Sequence, residues 1–165
     1  MEDTTPLYPA FLNLKGRLCV VFGGGKVAER KVAKLLAAQA RVRVISPAAG
    51  NLLLQWAADG QIEWVNRSYA SGDAAAAWLV FAATNDPEVN RAIAAEAEAA
   101  GRLVNVADDV ARCAFTVPAS TRQGGVQVAI STFGTDPAKA KRLRELLESD
   151  IQDGTARFQA ELAKD

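Results

Sequence analysis

Three consecutive glycines, Gly23-Gly24-Gly25, separate a short apolar run, Leu18–Phe22, from a run with helical spacing that begins at Lys26. Leu-Cys-Val-Val-Phe is short and rich in β-branched residues, as a strand buried on both faces is. The segment 26–38 can place Val27, Ala28, Leu35 and Ala38 on an apolar face, with Glu29, Arg30, Lys31 and Lys34 in water. A strand that runs through bare glycine into a helix needs either a tight turn or a backbone open to close approach. The rest of the chain decides between the two.

The alternation continues. Arg41–Ile45 reads as a second strand and stops at Ser46-Pro47; Asn51–Ala58 reads as a helix that ends near Asp59-Gly60. Strands are predicted at 61–65, 78–83 and 102–106. Between the last two, Asp86-Pro87 supplies an N-cap and a first-turn proline, and Gly101 a C-cap, for one more helix. Apolar strands joined by helical crossovers give a parallel sheet covered on both faces. The pattern breaks after Asp109. The runs 113–118 and 126–132, separated by Gln123-Gly124-Gly125, predict an antiparallel hairpin. Asp136-Pro137 starts a final helix to about residue 147 or 149, and the polar tail to Asp165 reads as a frayed helix. The expected fold is α/β: a Rossmann-like parallel sheet with helices on both faces over 1–111, then a small hairpin-plus-helix region over 112–165. A lone hairpin and helix bury little surface, so this region is expected to pair with a second copy in a homodimer.

Composition excludes several classes. Nineteen basic and 19 acidic residues cancel, and the pI is about 6.3, so no nucleic-acid partner is expected. No apolar run has the length of a membrane span, so no membrane partner is expected either. The start, M-E-D-T-T-P-L-Y-P, is unlike a secretion signal, and a cytoplasmic protein is the expectation. Cys19 and Cys113 lie far apart in apolar runs and read as small buried hydrophobes; no metal-ligand pattern is present. Histidine is absent, which removes Ser-His-Asp and Cys-His mechanisms. Proton transfer near neutral pH falls to a carboxylate, lysine, tyrosine, cysteine or water.

Gly23-x-Gly25-x-x-Ala28 now stands in the context that a dinucleotide-binding loop requires, after a strand and opening a helix. Gly23 permits the turn, Gly25 lets a pyrophosphate meet the backbone, and Ala28 lets the helix pack closely on the sheet. The expected phosphate cradle is Gly23, Gly24, Gly25, Lys26, Val27 and Ala28, at a helix N-terminus. The acid that usually ends the second strand, to hold a ribose, is missing. Ser46 stands there instead, and contact with a ligand and turn formation with Pro47 are equally open to it. Arg43 lies nearby, so NAD versus NADP is not decided locally. Ligands of such sheets bind at the carboxyl ends of the strands, which adds Thr84, Asn85, Asn105, Val106 and Asp108. Lys139, Lys141, Arg142 and Arg144 on the last helix read first as a solvated face, with Glu145 and Glu148 nearby, and second as a site for a polycarboxylate. Arg30, Lys31 and Arg122 likewise read first as surface cations.

Several stretches together resemble the precorrin-2 dehydrogenase family, which includes the N-terminal part of siroheme synthases and the dehydrogenase/ferrochelatases. They are Y-P-A-F-L-N-L-K-G-R from Tyr8, V-F-G-G-G-K-V-A-E-R-K from Val21 and F-A-A-T-N-D-P-E-V-N from Phe81, then V-N-V-A-D-D from Val104, F-T-V-P-A from Phe115 and V-A-I-S-T from Val128. The resemblance spans about residues 7 to 148. It implies an NAD-binding domain followed by a dimerisation region, and NAD as cofactor. It also implies oxidation of the tetrapyrrole precorrin-2 to sirohydrochlorin, with Asp108 as catalytic base. The family's third, helical domain is largely absent from this sequence, and its G-G-x-S-P pattern is here Phe133-Gly134-Thr135-Asp136-Pro137. The alternatives are a redox-sensing NAD-binding module or a non-catalytic tetrapyrrole-binding relative. Each could keep the glycine loop without needing Asp108.

Overall fold

The computed structural model describes residues 7–123 and 125–152. The chain divides into two compact units, one formed by Ala10–Phe115 and the other by the described residues before and after that span.

The first unit is a five-stranded sheet. Strands β1 (Leu18–Phe22), β2 (Arg41–Ile45), β3 (Ile62–Val65), β4 (Leu79–Ala82) and β5 (Leu103–Val106) lie in the order β3-β2-β1-β4-β5, all pairs parallel. Alternate residues divide two cores. Cys19, Val21, Val42, Val44 and Phe81 meet helices α1 (Lys26–Ala37) and α2 (Asn51–Ala58). Val20, Phe22, Val80, Val104 and Val106 meet α3 (Pro87–Ala99). The central strands are therefore buried on both faces, which is why they read as unbroken apolar runs. Burial pushes the Cys19 thiol up to about 11, so that residue is an inert part of the core.

The ends of α3 follow the expected chemistry. Asp86 Oδ1 accepts from the Glu88 amide at 2.8 Å, Pro87 opens the helix, and Gly101 closes it at φ 66 with its N–H on the Glu98 carbonyl. On α1 the apolar stripe is Ala28, Val32 and Leu35; Val27 and Ala38, expected on that face, are exposed. Val32 continues the spacing from Ala28 by four residues and reaches Leu35 after three, so it, not Val27, faces the sheet.

In the second unit, β6 (Ala119–Gln123) pairs antiparallel with β7 (Val126–Ile130), and α4 (Pro137–Gln152) follows. The expected first hairpin strand, 113–118, is corrected: the strand starts later, in the polar sequence Ala-Ser-Thr-Arg-Gln. The apolar residues before it serve the first unit instead. Ala114 donates to the Val104 carbonyl at 2.8 Å, and Phe115 packs edge-on against Phe81 at 5.5 Å. Pro118 has no N–H for a ladder. Helix α4 extends beyond the expected 147 or 149; the tail after Gln152 and Gly124 of the hairpin loop lie outside the described residues. Its basic cluster is a solvated face in large part, since Lys141 pairs with Glu145 at 3.7 Å and Arg144 pairs with both Glu145 and Glu148. Asp136 caps this helix through the Lys139 amide. Phe133, where the family pattern has glycine, sits at φ 55, a left-handed conformation costly for a side chain of that size.

Candidate functional site

The order β3-β2-β1-β4-β5 reverses between β1 and β4, and at such a point the crevice outside the strand ends takes the ligand. A cavity of about 720 Å³ lies there, within the usual range for a small-molecule site. Its walls come from the glycine loop, the β2–α2 connection 46–50, the end of β4 and residues 68–69. Phe22, Ile45, Tyr69 and Val89 make them largely apolar.

The three glycines do different work. Gly23 has φ 112, and a Cβ on it would lie 2.2 Å from the Ala83 carbonyl oxygen. A Cβ on Gly24 would lie 1.8 Å from the Ala48 carbonyl oxygen. Gly24 also accepts from the Gly50 amide at 2.9 Å, which draws the 46–50 connection against the loop. Gly25 has an unstrained backbone (φ −91, ψ −172), and nothing lies within 4 Å of an added Cβ. The fold therefore requires glycine at 23 and 24 but not at 25, where its absence of side chain keeps the loop open. Gly25 is the N-cap of α1 and offers no side-chain acceptor. The first-turn amides of Lys26, Val27 and Ala28 thus face outward from the helix end without intrahelical partners. Val27 and Ala28 offer an anion only these main-chain groups, since the Ala28 side chain is in the core and the Val27 side chain is apolar and exposed, while Lys26 adds an exposed ammonium at the same helix end. The bare loop, the open helix end and the cavity fit a dinucleotide's pyrophosphate.

Ser46 is 6% exposed, and its hydroxyl donates to the Ala48 carbonyl at 2.6 Å, so it closes the turn before Pro47-Ala48. Arg43 is tied to Glu63 at 2.8 Å. Thr84 and Asn85 line the cavity. The Thr84 hydroxyl and amide both donate to Asn90 Oδ1, at 2.7 and 3.1 Å, and Asn90 Nδ2 returns a bond to the Thr84 carbonyl. Sequence reasoning missed Asn90. Its signal was a polar residue in the stripe Asn90, Ile93, Ala94, Ala97, at helical spacing and all buried.

Glu96 was missed as well. Its carboxylate accepts from the Tyr69 hydroxyl at 2.6 Å and from the amides of Gly72, Ala74 and Ala75 at 2.7–3.0 Å, which fixes the connection carrying the cavity residues Ser68 and Tyr69. Tyr69 in turn packs edge-on against Phe22 at 5.5 Å. Burial opposes ionisation of Glu96, but these four donors outweigh it and hold the carboxyl below its usual range. Burial and the Glu96 charge push the Tyr69 phenol up to about 12. Because the folded state prefers the Glu96 carboxylate, its stabilisation is present above the unfolded value of about 4.3 and is lost as pH falls through the lower folded value. A Glu96→Gln variant is expected to lose about 2 kcal/mol at neutral pH, since an amide cannot accept from all four donors. Melting curves of both proteins from pH 7 downward check this: the gap narrows below about pH 4.

At the far side of the sheet, Asn105 and Val106 are buried and do not line the cavity. Asn105 Oδ1 accepts from Lys31 Nζ at 2.8 Å, and its Nδ2 donates to the Phe115 carbonyl at 3.0 Å. The Val106 amide donates to the Cys113 sulfur at 3.2 Å. Cys113 is thus half-buried and hydrogen-bonded, beyond the role of a plain hydrophobe. Asp108 follows β5 and is exposed at the carboxyl edge of the sheet.

A family model described as "Putative NAD(P)-binding" matches residues 10–119, the whole parallel sheet and its glycine loop. The siroheme synthase of Xylella fastidiosa is 42% identical over 156 residues, 92% of this chain and 32% of that protein. That of Nitrosococcus oceani is 41% identical over 150 residues, 91% of this chain and 32% of its own length. Among solved structures, SirC, a precorrin-2 dehydrogenase, superposes with a TM-score of 0.77 at 31% identity, over 87% of this chain and 71% of that one. This chain belongs to the precorrin-2 dehydrogenase family. It spans about a third of the siroheme synthases that it matches. The Rossmann-like sheet followed by hairpin and helix is the fold of this family member as expected, and NAD stands as its cofactor. No helix among the described residues is long and apolar enough to cross a membrane.

Proposed function

We propose that this chain carries out the NAD-dependent oxidation of precorrin-2 to sirohydrochlorin, with Asp108 as the base. The observation that carries this reading is the open glycine loop over a cavity at the switch point, in a chain 31% identical to a precorrin-2 dehydrogenase. When bound, the oxidised nicotinamide supplies a hydride acceptor. The chain's own residues do the rest. Main-chain amides at Gly25 and the first turn of α1 hold the pyrophosphate. Thr84 and Asn85 border the cofactor at the end of β4, and the apolar walls of Phe22, Ile45, Tyr69 and Val89 exclude water. Asp108, exposed at the end of β5, accepts the proton that the reduced macrocycle loses as its hydride leaves.

The hairpin and α4 support a homodimer. None of the described hairpin residues is fully buried, and Leu146 on α4 is 62% exposed, so this unit gains a core by meeting a second copy. A cytoplasmic location goes with the same reading.

Incubation of the protein with precorrin-2 and NAD tests the proposal. NADH and sirohydrochlorin formed in equal amounts are expected. Folded protein that binds NAD yet makes no NADH would leave the redox-sensing or tetrapyrrole-binding module in its place.

A further inference from the structure

Lys31 is the unusual cation of the first unit. It lies on α1 between Ala28 and Leu35, both buried, and reaches across the sheet. Its Nζ is 4.9 Å from the centre of the Phe81 ring and donates to Asn105 Oδ1 at 2.8 Å. Among the described residues it makes no salt bridge. A part-buried ammonium without a carboxylate beside it is costly to keep, and a purely apolar contact with Phe81 does not need one.

The bonds beyond Lys31 lead to the turn that carries Asp108. Asn105 Nδ2, 3.4 Å from the Cys113 sulfur, also donates to the Phe115 carbonyl. The Cys113 sulfur accepts from the Val106 amide and lies 3.3 Å from the carbonyls of Val106 and Asp109, to one of which its S–H donates. Ala107 donates to the Ala82 carbonyl at 2.9 Å and Ala114 to that of Val104. Asp108 is thus held between two points that return to the sheet, and the Lys31–Asn105–Cys113 chain ties them together.

We propose that Lys31 is a positioning residue for the oxidation: through Asn105 and Cys113 it fixes the turn bearing Asp108. The inference rests on the reading of Asp108 given under Proposed function. Burial lowers the proton affinity of Lys31, Lys34 and Arg30 lower it further, and Cys113 and Asp108 act the other way. Asp109, whose own partner is Arg112 at 3.1 Å, is the neighbouring acid in the turn.

Lys31→Met and Lys31→Arg test this beside the wild type. Lys31→Met is expected to bind NAD as the wild type does, because Lys31 does not line the cavity, and to lose about tenfold or more in kcat from a displaced base. KM for NAD should stay at the wild-type value while kcat falls, a split that a general loss of folding would not give. Lys31→Arg keeps a charged donor facing Asn105 Oδ1 and should return most of the lost kcat. Hydrogen exchange supplies a readout without substrate or cofactor: the amides of Val106, Ala107 and Ala114 should exchange faster in Lys31→Met. If that variant does not fold, Lys31→Gln removes the charge with a polar side chain in place. Unchanged kcat and exchange overturn the inference. A wild type that makes no NADH overturns the proposed oxidation and with it the catalytic part of the inference, while the exchange rates still decide whether Lys31 braces the turn.

Discussion

A Gly24→Ala variant is expected to lose at least about 3 kcal/mol of stability, a drop of roughly 6–12 °C in melting temperature for a chain of this size. The new Cβ would stand 1.8 Å from the Ala48 carbonyl oxygen and 2.9 Å from Ser46 Oγ. Neither can yield cheaply. The Ala48 carbonyl accepts the Ser46 hydroxyl, the Ser46 amide donates to the Val65 carbonyl, and the Ser46 carbonyl accepts from Trp64 Nε1 at 3.1 Å. Gly50 is fastened to the Gly24 carbonyl at the other end of the connection. The methyl group must therefore displace backbone that β3 and α2 both hold. Gly23→Ala should behave similarly, with the added cost of φ 112 and a contact of 2.2 Å to the Ala83 oxygen. Thermal melts of the two variants check both. A Gly24→Ala protein as stable as the wild type would mean that the 46–50 connection does not lie against the loop.

Asp108→Asn is expected to reduce turnover of precorrin-2 by about 10²–10⁴, the usual contribution of a positioned general base. The substitution is nearly isosteric and the side chain is exposed, so folding should be unaffected. NAD affinity should also hold, because Asp108 is not part of the cavity wall. Steady-state NADH formation, read beside NAD binding, separates these effects. Full turnover in the variant would remove Asp108 as the base and leave the fold and cofactor site intact.

Much of the sheet was legible because its physics is local. Leu18–Phe22, Arg41–Ile45 and Asn51–Ala58 have the limits that their apolar runs and the flanking Gly, Ser-Pro and Asp-Gly signals predict. Asp86-Pro87 and Gly101 mark α3 for the same reason. The first hairpin strand was not legible: Ser120, Thr121 and Arg122 carry no apolar alternation, while Cys113 and Phe115 pack on the two cores of the first unit. An added Cβ at Gly25 would stand in open space, but the steric need at Gly24 depends on Ala48, a partner 24 residues away. Lys31 reads as a wet cation until Asn105, 74 residues later, is seen beside it. Its one sequence signal is a place three residues after Ala28 and four before Leu35, the flank of the buried stripe, where a long stem can cover apolar surface. Glu96 and Asn90 likewise act on segments that only the tertiary fold brings near them.

The central claim is that a dinucleotide rests on main chain at the end of β1, where a side chain at residue 25 would intrude. Calorimetric titration of NAD into the wild type and into Gly25→Val tests it most directly. Valine fits the extended backbone at Gly25 and its Cβ has no neighbour within 4 Å, so the variant should fold and melt like the wild type to within about 1 kcal/mol. The account predicts saturable NAD binding by the wild type, weakened at least about tenfold in the variant. Equal affinity in the two proteins, or no binding by folded wild type, would contradict it.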